Sequence, residues 1–168
     1  MACEFRIRHS IEEDVPILFE LIRGLAEYER LLEQVTATEE ILRTHLFGAR
    51  PAAEAVLAEE GGEAIGFALF FNSFSTFVGK PGLFLEDLFV RPEFRGRGYG
   101  KALMVFVARL ALARGCGRFE WSVLDWNTPA REFYRTLGAR PLDDWIGQRM
   151  TGDVLAGLAA QPIPGEHE

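Results

Sequence analysis

Hydrophobic and polar residues alternate in some parts of the chain and recur every three or four residues in others. The stretch EFRIRHS alternates, which predicts a short first strand. Apolar residues then recur at steps of four and three, which predicts an amphipathic helix: Ile11, Val15, Leu18, Ile22 and Leu25. Pro16 suits the first turn of this helix, where a missing N–H does little harm. A second helix, EEILRTHLF, is predicted after a capping box of Thr36 and Glu39, with Gly48 at its end.

The middle and end of the chain add strands and two more helices. AEAVLAEE and EAIGFALFFNSFS, separated by Gly61 and Gly62, predict an antiparallel hairpin. GLFLEDLFV predicts a strand that is apolar on both faces except at its centre. A helix follows with Leu103, Phe106, Val107 and Leu110 on one side, then a strand, GRFEWSVLDW. NTPAREFYRTLG predicts a helix capped by Asn127 or Thr128, with Pro129 in its first turn and Gly138 at its end.

WIGQRMTG predicts a last strand. The element order β-α-α-β-β-β-α-β-α-β describes an α/β fold. We therefore expect one domain over residues 1–160 and a flexible tail over residues 161–168.

Charge and composition narrow the class of partner. Eighteen Lys and Arg against 25 Asp and Glu give a net charge of −7, which argues against nucleic acid or an anionic membrane and favours a cationic substrate. No apolar run approaches the roughly 18 residues that span a bilayer. Two cysteines are too few for a disulfide framework, and the three histidines share no metal-ligand spacing. These features predict a cytoplasmic protein without a metal.

The stretch EFRGRGYGK, residues 93–101, predicts a phosphate-binding loop. A Walker loop would need glycine at Arg95 and Ser or Thr at Ala102, and the dinucleotide pattern G-x-G-x-x-G also fails. The pattern that matches is Arg-x-x-Gly-x-Gly between a strand and a helix. Glycines let backbone N–H groups converge on a diphosphate at a helix N-terminus, with cations at the rim. The alternative is a flexible turn with solvated cations, and the flanking strand and helix favour the diphosphate.

Two carboxylates interrupt an otherwise apolar strand, at Glu86 and Asp87. A buried carboxylate without a partner is costly, so at least one of the two should face a cavity, and a β-bulge could direct both to one site. Such acids could hold an alkylammonium group and accept its proton. The alternative is a structural ion pair with Arg91 or Arg95.

The segment FLEDLFVRPEFRGRGYGKALM resembles the acetyl-CoA-binding core of the GNAT N-acetyltransferase superfamily. LAEYERLLEQVTATEEIL, LEDLFV and LDWNTPAREFYRTLGA further resemble the diamine/polyamine (spermidine/spermine) and thialysine N-acetyltransferases. The resemblance runs from residue 5 to about residue 158. It implies a mixed, mostly antiparallel sheet flanked by helices, with a splayed central strand pair. It also implies acetyl-CoA as cosubstrate, a small-molecule amine as substrate, and a homodimer.

The resemblance also assigns roles to individual residues. It makes Glu86 the general base and Tyr134 the general acid that protonates the leaving thiolate, although a helical Tyr is more often a half-buried packing residue. It places coenzyme A on the following residues: Leu88, Phe89, Val90, Arg95, Gly96, Arg97, Gly98, Tyr99, Gly100, Lys101, Asn127, Thr128, Pro129 and Ala130. It places the amine near Tyr28, Glu29, Glu86 and Asp87. Glu120, Trp121 and Ser122, on the predicted strand that faces these acids, and Asp144 are further candidates for the amine site.

The sequence thus predicts transfer of an acetyl group from acetyl-CoA to a primary amine of a small cation, by direct attack in a ternary complex. Glu120, Trp121 and Ser122, and the short segment ARPLDD, depart from the polyamine enzymes, which leaves the amine open. The alternatives are an acetyltransferase for another amino acid, an aminoglycoside or a protein amine, and a non-catalytic module that binds coenzyme A.

Overall fold

The structure is a computed structural model that describes residues 4–164. The chain forms two compact units, the first ending at Ser122 and the second beginning at Val123. Residues 165–168 of the predicted tail lie outside the described part. None of the described helices is long and apolar enough to cross a membrane.

The first unit contains one five-stranded sheet in the order β1-β2-β3-β4-β5. Its strands are β1 Phe5–His9, β2 Glu54–Glu60, β3 Glu63–Ser75, β4 Lys80–Val90 and β5 Arg118–Trp121. The pairs β1–β2, β2–β3 and β3–β4 are antiparallel, whereas β5 runs parallel to β4. The predicted mixed, mostly antiparallel sheet is therefore confirmed.

Helices cover both faces of this sheet. They are α1 Val15–Tyr28, α2 Glu39–Phe47 and α3 Tyr99–Ala113. A core cluster joins α1 and α2 to one face: Leu18, Leu21, Leu25, Leu46, Leu57, Phe67, Leu69 and Phe89. Successive strand residues point to opposite faces, so Val56 and Ala68, also fully buried, lie on the other face. The buried side of α3, which contacts β3 and β4, includes Leu103, Met104 and Val107.

Two predicted turns had different outcomes. The Gly61-Gly62 hairpin is confirmed, with φ of 61° and 87° joining Glu60 to its partner Glu63. The capping residue of α2 was wrongly predicted. Thr38, not Thr36, accepts a hydrogen bond from the N–H of Ile41 at 3.2 Å, because Thr38 directly precedes the first helical residue.

The second unit contains α4 Thr128–Thr136 and α5 Gly152–Ala159. The N-cap at Asn127 and the left-handed Gly138 after α4 are confirmed. The strand predicted from WIGQRMTG is wrong, because in residues 4–164 no sheet strand hydrogen-bonds with that segment. The strand predicted from GRFEWSVLDW is limited to Arg118–Trp121. Helix α5 was not predicted.

An ion-pair network joins β1 to β2 and to the turn before α1. The Arg8 guanidinium donates to both oxygens of Asp14, at 2.6 and 2.8 Å, and to Glu59 at 2.9 Å. Arg6 also donates to Glu59, and both acids are buried. The hydrogen bonds from Arg8 lower the pKa of Asp14. Because the folded state favours the ionised acid, this contribution is present above the ordinary Asp pKa and is lost as the pH falls below it.

We expect Asp14→Asn to destabilise the protein by about 3 kcal/mol at pH 7, because it leaves the Arg8 guanidinium without its main partner. Urea denaturation at pH 7 and at pH 3 measures this, and the difference from wild type should shrink at pH 3, below the ordinary Asp pKa. The control is Glu12→Gln, which breaks the exposed 3.2 Å pair with Arg43 and should cost less than about 0.5 kcal/mol. Equal losses in the two variants would contradict a special role for the buried pair.

Candidate active site

A β-bulge in β4 places the two acids of that strand. Leu85 pairs with Phe70 and Asp87 pairs with Leu69, so Glu86 is the extra residue that has no opposite partner on β3. Glu86 is exposed and Asp87 is half-buried. The bulge that the sequence suggested is present.

Three carboxylates from two elements act on one another at this point. Burial, together with the negative charges of Glu86 and Glu29, raises the pKa of Asp87 to about 7. Glu29 directly follows α1, and burial raises its pKa too. Neighbouring negative charge and burial both favour the protonated acid, so Asp87 exchanges a proton near neutral pH. The arrangement suits a group that binds a cation and accepts a proton from it.

The parallel pairing of β4 with β5 ends just before these acids. The pairs run from Gly82 with Arg118 to Leu85 with Trp121, and no described strand pairs with that edge of β4 over residues 86–90. This is the splayed strand pair that the fold class predicted. Backbone N–H and C=O groups that face this edge have no strand partner there and could bind a ligand, although the Val90 carbonyl already accepts from Arg95.

The predicted cofactor residues on β4 can offer their main chain but little of their side chains. Phe89 and Val90 are 6% and 8% exposed, and Phe89 belongs to the core under α1. Gly66 of β3 pairs with Val90, and a Cβ added to it would lie 2.5 Å from the Phe89 carbonyl oxygen. Glycine at position 66 therefore lets β3 hold this part of β4 closely.

The glycine loop leads into α3 with the geometry of an anion site. Gly96 and Gly98 have φ of 77° and 84°, a region that favours glycine, and Gly98 is the N-cap of α3. Since the first N–H groups of a helix have no partner within it, the 15-residue α3 presents amides and the positive end of its dipole at this loop. Binding of a diphosphate by this loop stays a prediction, with which the glycine conformations are compatible.

The side chains of the loop make contacts that the sequence did not predict. Arg97 forms a 3.1 Å ion pair with Glu60, and the Tyr99 hydroxyl donates to the same carboxylate. The Tyr99 ring stacks on Phe5 at a centroid distance of 4.4 Å. Arg97 and Tyr99 are thus held against β1 and β2 through their side chains, whereas Lys101 is exposed.

Arg95 turns in the opposite direction, towards α1. Its Nε donates to the Val90 carbonyl at 2.9 Å, and its guanidinium carbon lies 4.5 Å from the ring centroid of Tyr28. The loop thereby meets Tyr28, one of the predicted amine-contacting residues. The ion pair of Arg95 with Glu86 or Asp87, the structural alternative for these acids, is not among the ion pairs of the described residues.

The predicted residues of β5 lie beside the end of the strand pairing. Glu120 pairs with Phe84, and Trp121 pairs with Leu85, the residue before the bulge. Both are half-buried and Ser122 is exposed. The structure therefore places Trp121 next to the strand segment that carries the acids.

The remaining predicted residues belong to the second unit. Asn127 is buried, and its side-chain oxygen accepts from the Ala130 N–H at 3.2 Å, with Thr128 and Pro129 in the same turn. Tyr134 is half-buried in the last turn of α4, and its ring centroid lies 5.2 Å from that of Phe133. Asp144 is exposed in a turn.

A groove of about 360 Å³, which sequence reasoning missed, lies between α1 and the turn after β4. Leu21, Gly24 and Phe89 give it an apolar part, and Glu27, Arg91 and Glu93 are among its charged residues. Residues from positions 20 to 93 line it, and only the folded sheet brings them together. In residues 4–164 no group of three or more His, Cys, Asp or Glu side chains is arranged to hold a metal.

Comparison with known proteins identifies the family. Residues 18–139 match the Acetyltransferase (GNAT) family, so the chain belongs to this family. A thialysine N-epsilon-acetyltransferase of Sus scrofa is 39% identical over 92% of this chain and 97% of that protein. An L-ornithine N5-acetyltransferase of Arabidopsis thaliana is 31% identical over 91% of this chain and 87% of that protein.

The fold agrees with that of solved structures. An integron cassette protein from the mobile metagenome of V. cholerae superposes with a TM-score of 0.79 at 25% identity, covering 94% of this chain and 98% of that one. The chain is an amino-group acetyltransferase, and the resemblance to the thialysine N-acetyltransferases is confirmed.

Proposed function

We propose that this acetyltransferase moves the acetyl group of acetyl-CoA to the terminal primary amine of a small aliphatic cation, by direct attack in a ternary complex. The observation that carries the proposal is that the bulged acids of β4, the unpaired edge of residues 86–90 and the amide-rich loop at the start of α3 follow one another along the chain. One end of this segment suits a cation and the other suits a diphosphate.

The main chain supplies most of the proposed binding site for acetyl-CoA. The N–H groups of residues 96–101 would hold the diphosphate, and the unpaired edge of Leu88, Phe89 and Val90 would hold the amide-containing arm. Asn127, Thr128, Pro129 and Ala130 complete the proposed set. The buried side chains of Phe89 and Val90 agree with contacts made through the backbone.

The acid pair of β4 would bind the alkylammonium group and remove its proton. An alkylammonium must lose a proton before its nitrogen lone pair can attack the thioester carbonyl carbon. We assign Glu86, which is exposed at the bulge, to the cation, and Asp87, whose pKa of about 7 suits a proton acceptor at neutral pH, to the proton. The sequence favoured Glu86 as base; the burial of Asp87 is what shifts our preference within the pair.

Two hydrogen-bond donors would stabilise the negative charges that develop on the carbonyl oxygen and then on the sulfur. A main-chain N–H near Leu88 would donate to the carbonyl oxygen as it gains negative charge. When the carbon–sulfur bond breaks, the Tyr134 hydroxyl would give its proton to the sulfur, so that the products are the N-acetyl amide and the free thiol. The nitrogen of the intermediate would lose its second proton to solvent, and Tyr134 would regain a proton from solvent.

The carboxylates indicate the class of amine. Glu29, Glu86 and Asp87 concentrate negative charge at the end of α1 and the bulge of β4, which favours a substrate with a cationic amino group. The relatives named for thialysine and L-ornithine have substrates with a terminal amine on a short chain. We therefore place such amines ahead of polyamines for this chain.

The test is thiol release from acetyl-CoA with thialysine, L-ornithine, putrescine, spermidine and an aminoglycoside, each product being checked by mass spectrometry. We expect the highest kcat/KM with the first two amines. Double-reciprocal plots of initial rate against amine concentration, at several concentrations of acetyl-CoA, should give intersecting lines, as a ternary complex requires. Parallel lines would indicate a covalent acetyl-enzyme instead. Tight binding of acetyl-CoA without turnover of any amine would show a non-catalytic binding module.

We also propose that the protein is a homodimer. In the second unit large apolar side chains are mostly exposed, among them Leu142, Trp145, Ile146, Val154 and Leu155. Exposed apolar residues in this number favour burial against a partner. Light scattering on the purified protein gives the mass directly.

A further inference from the structure

A line of contacts joins the cofactor loop to the helix that ends at the predicted amine site. Residues 20, 24 and 28 of α1 lie on one face because they are four apart. Each touches the end of β4 or the loop after it, as three pairs: Glu20 with Arg91, Gly24 with Phe89, and Tyr28 with Arg95. The first pair is 2.8 Å apart, and a Cβ on Gly24 would lie 3.1 Å from the Phe89 ring.

Arg95 makes the contact nearest the predicted amine site, at the end of α1. Its guanidinium lies over two rings, 4.5 Å from the centroid of Tyr28 and 5.5 Å from that of Phe89. Its Nε–H donates to the Val90 carbonyl at 2.9 Å. One side chain thus contacts the last residue of α1 and the last residue of β4, while its own backbone directly precedes Gly96 of the loop.

The neighbouring arginine of the loop provides a contrast. Arg97 pairs with Glu60 at the end of β2 and has no ring contact with α1 among the described residues. The two arginines carry the same charge and lie two residues apart. Their contacts differ in direction, since only that of Arg95 leads to Tyr28 and Glu29.

We propose that Arg95 is a positioning residue that links acetyl-CoA binding to amine binding, and that it is not chiefly a ligand of the diphosphate. The proposal rests on the proposed function. When the loop amides hold the diphosphate, the fixed loop holds Arg95, and Arg95 holds the Tyr28 ring and the adjacent Glu29 where the amine enters. A site already ordered by one ligand costs the second ligand less to occupy.

The experiment measures the coupling between the two ligands by calorimetry. The amine with the highest kcat/KM is titrated into the enzyme alone and into the enzyme saturated with coenzyme A. Coenzyme A carries no acetyl group, so the amine is not consumed during the titration. For wild type we expect amine binding to be about fivefold tighter or more with coenzyme A present. For Arg95→Gln this ratio should fall below about twofold, because the cation–π contact with Tyr28 is lost. The affinity for coenzyme A should change less than about threefold, because the contacts of Arg95 are with Tyr28, Phe89 and Val90.

Arg97→Gln is the charge-matched control. It should weaken coenzyme A binding and keep the wild-type ratio, since its contact does not reach α1. Tyr28→Phe keeps the ring face and should keep the ratio, whereas Tyr28→Leu should lose it as Arg95→Gln does. In the double variant Arg95→Gln, Tyr28→Leu the ratio of amine affinities with and without coenzyme A should be no lower than in either single variant. Thermal melts verify that each variant is folded, and Arg95→Lys, which loses the Nε–H bond and the planar contact, provides a second test.

Two results would overturn the proposal. One is a large loss of coenzyme A affinity in Arg95→Gln with the ratio intact, which would make Arg95 a phosphate ligand. The other is a wild-type ratio near one. Both presuppose an enzyme that turns over an amine, so they differ from failure of the proposed function, in which wild type has no turnover.

Discussion

Replacing Tyr134 by phenylalanine should lower kcat by about a hundredfold or more and leave the dissociation constant of acetyl-CoA within about twofold of wild type. The reason is that the hydroxyl is needed only when the carbon–sulfur bond breaks, whereas the ring, half-buried beside Phe133, keeps its packing. Steady-state kinetics at saturating amine measures kcat, and calorimetry measures the affinity.

Tyr99→Phe is the matched control for this prediction. It removes the hydroxyl that donates to Glu60 at the loop, so its effect should appear in the KM for acetyl-CoA and not in kcat. A Tyr134→Phe enzyme with wild-type kcat would show that another group, or water, protonates the thiolate.

Replacing Asp87 by asparagine should have opposite effects on activity and stability. We expect kcat/KM at pH 7.5 to fall by about a hundredfold to ten-thousandfold, because the side chain no longer accepts a proton. In wild type, kcat/KM should rise as the pH passes through about 7, since Asp87 must be ionised to act as base. This rise should be absent from the residual activity of the variant.

The stability effect follows from the same raised pKa. Between the ordinary Asp pKa and about pH 7 the folded protein holds a proton that the unfolded chain has lost, so stability falls as the pH rises through this range. Asparagine carries no charge to bury, and Asp87→Asn should therefore stabilise the protein by about 2 to 4 kcal/mol at pH 8 and by little at pH 4. Urea denaturation at the two pH values measures the difference.

Glu86→Gln separates the two acids of β4. Glu86 is exposed, so its replacement should change stability by less than about 0.5 kcal/mol and act mainly on the KM for the amine. If the pH dependence of kcat/KM disappears in Glu86→Gln and persists in Asp87→Asn, Glu86 is the base and our assignment within the pair is wrong.

Local patterns in the sequence were sufficient to predict most of the helices and strands of the first unit. Alternation and the Gly61-Gly62 turn predict β2 and β3, and two adjacent acids in an apolar strand suggest a bulge, which the structure places at Glu86. Each of these features depends on neighbours in the sequence. The segment at residues 145–152 shows the limit of this reasoning, because an apolar pattern does not say whether a strand partner is present.

The contacts of the loop side chains could not be predicted in the same way. Arg95 and Arg97 look alike in the sequence, yet one lies over Tyr28 and the other pairs with Glu60. These partners are 67 and 37 positions away, and the folded sheet decides which of them each guanidinium reaches. The pKa of Asp87 is likewise a result of burial and of Glu29, from a different element.

The binding of coenzyme A by the loop amides is tested most directly by amide ¹H–¹⁵N correlation spectra of the protein during a titration with coenzyme A. We predict that the largest shift changes fall on Gly96, Gly98, Tyr99, Gly100 and Lys101 and saturate at micromolar ligand. Saturable changes that leave these five amides unmoved, or no change at millimolar coenzyme A, would contradict the proposed site.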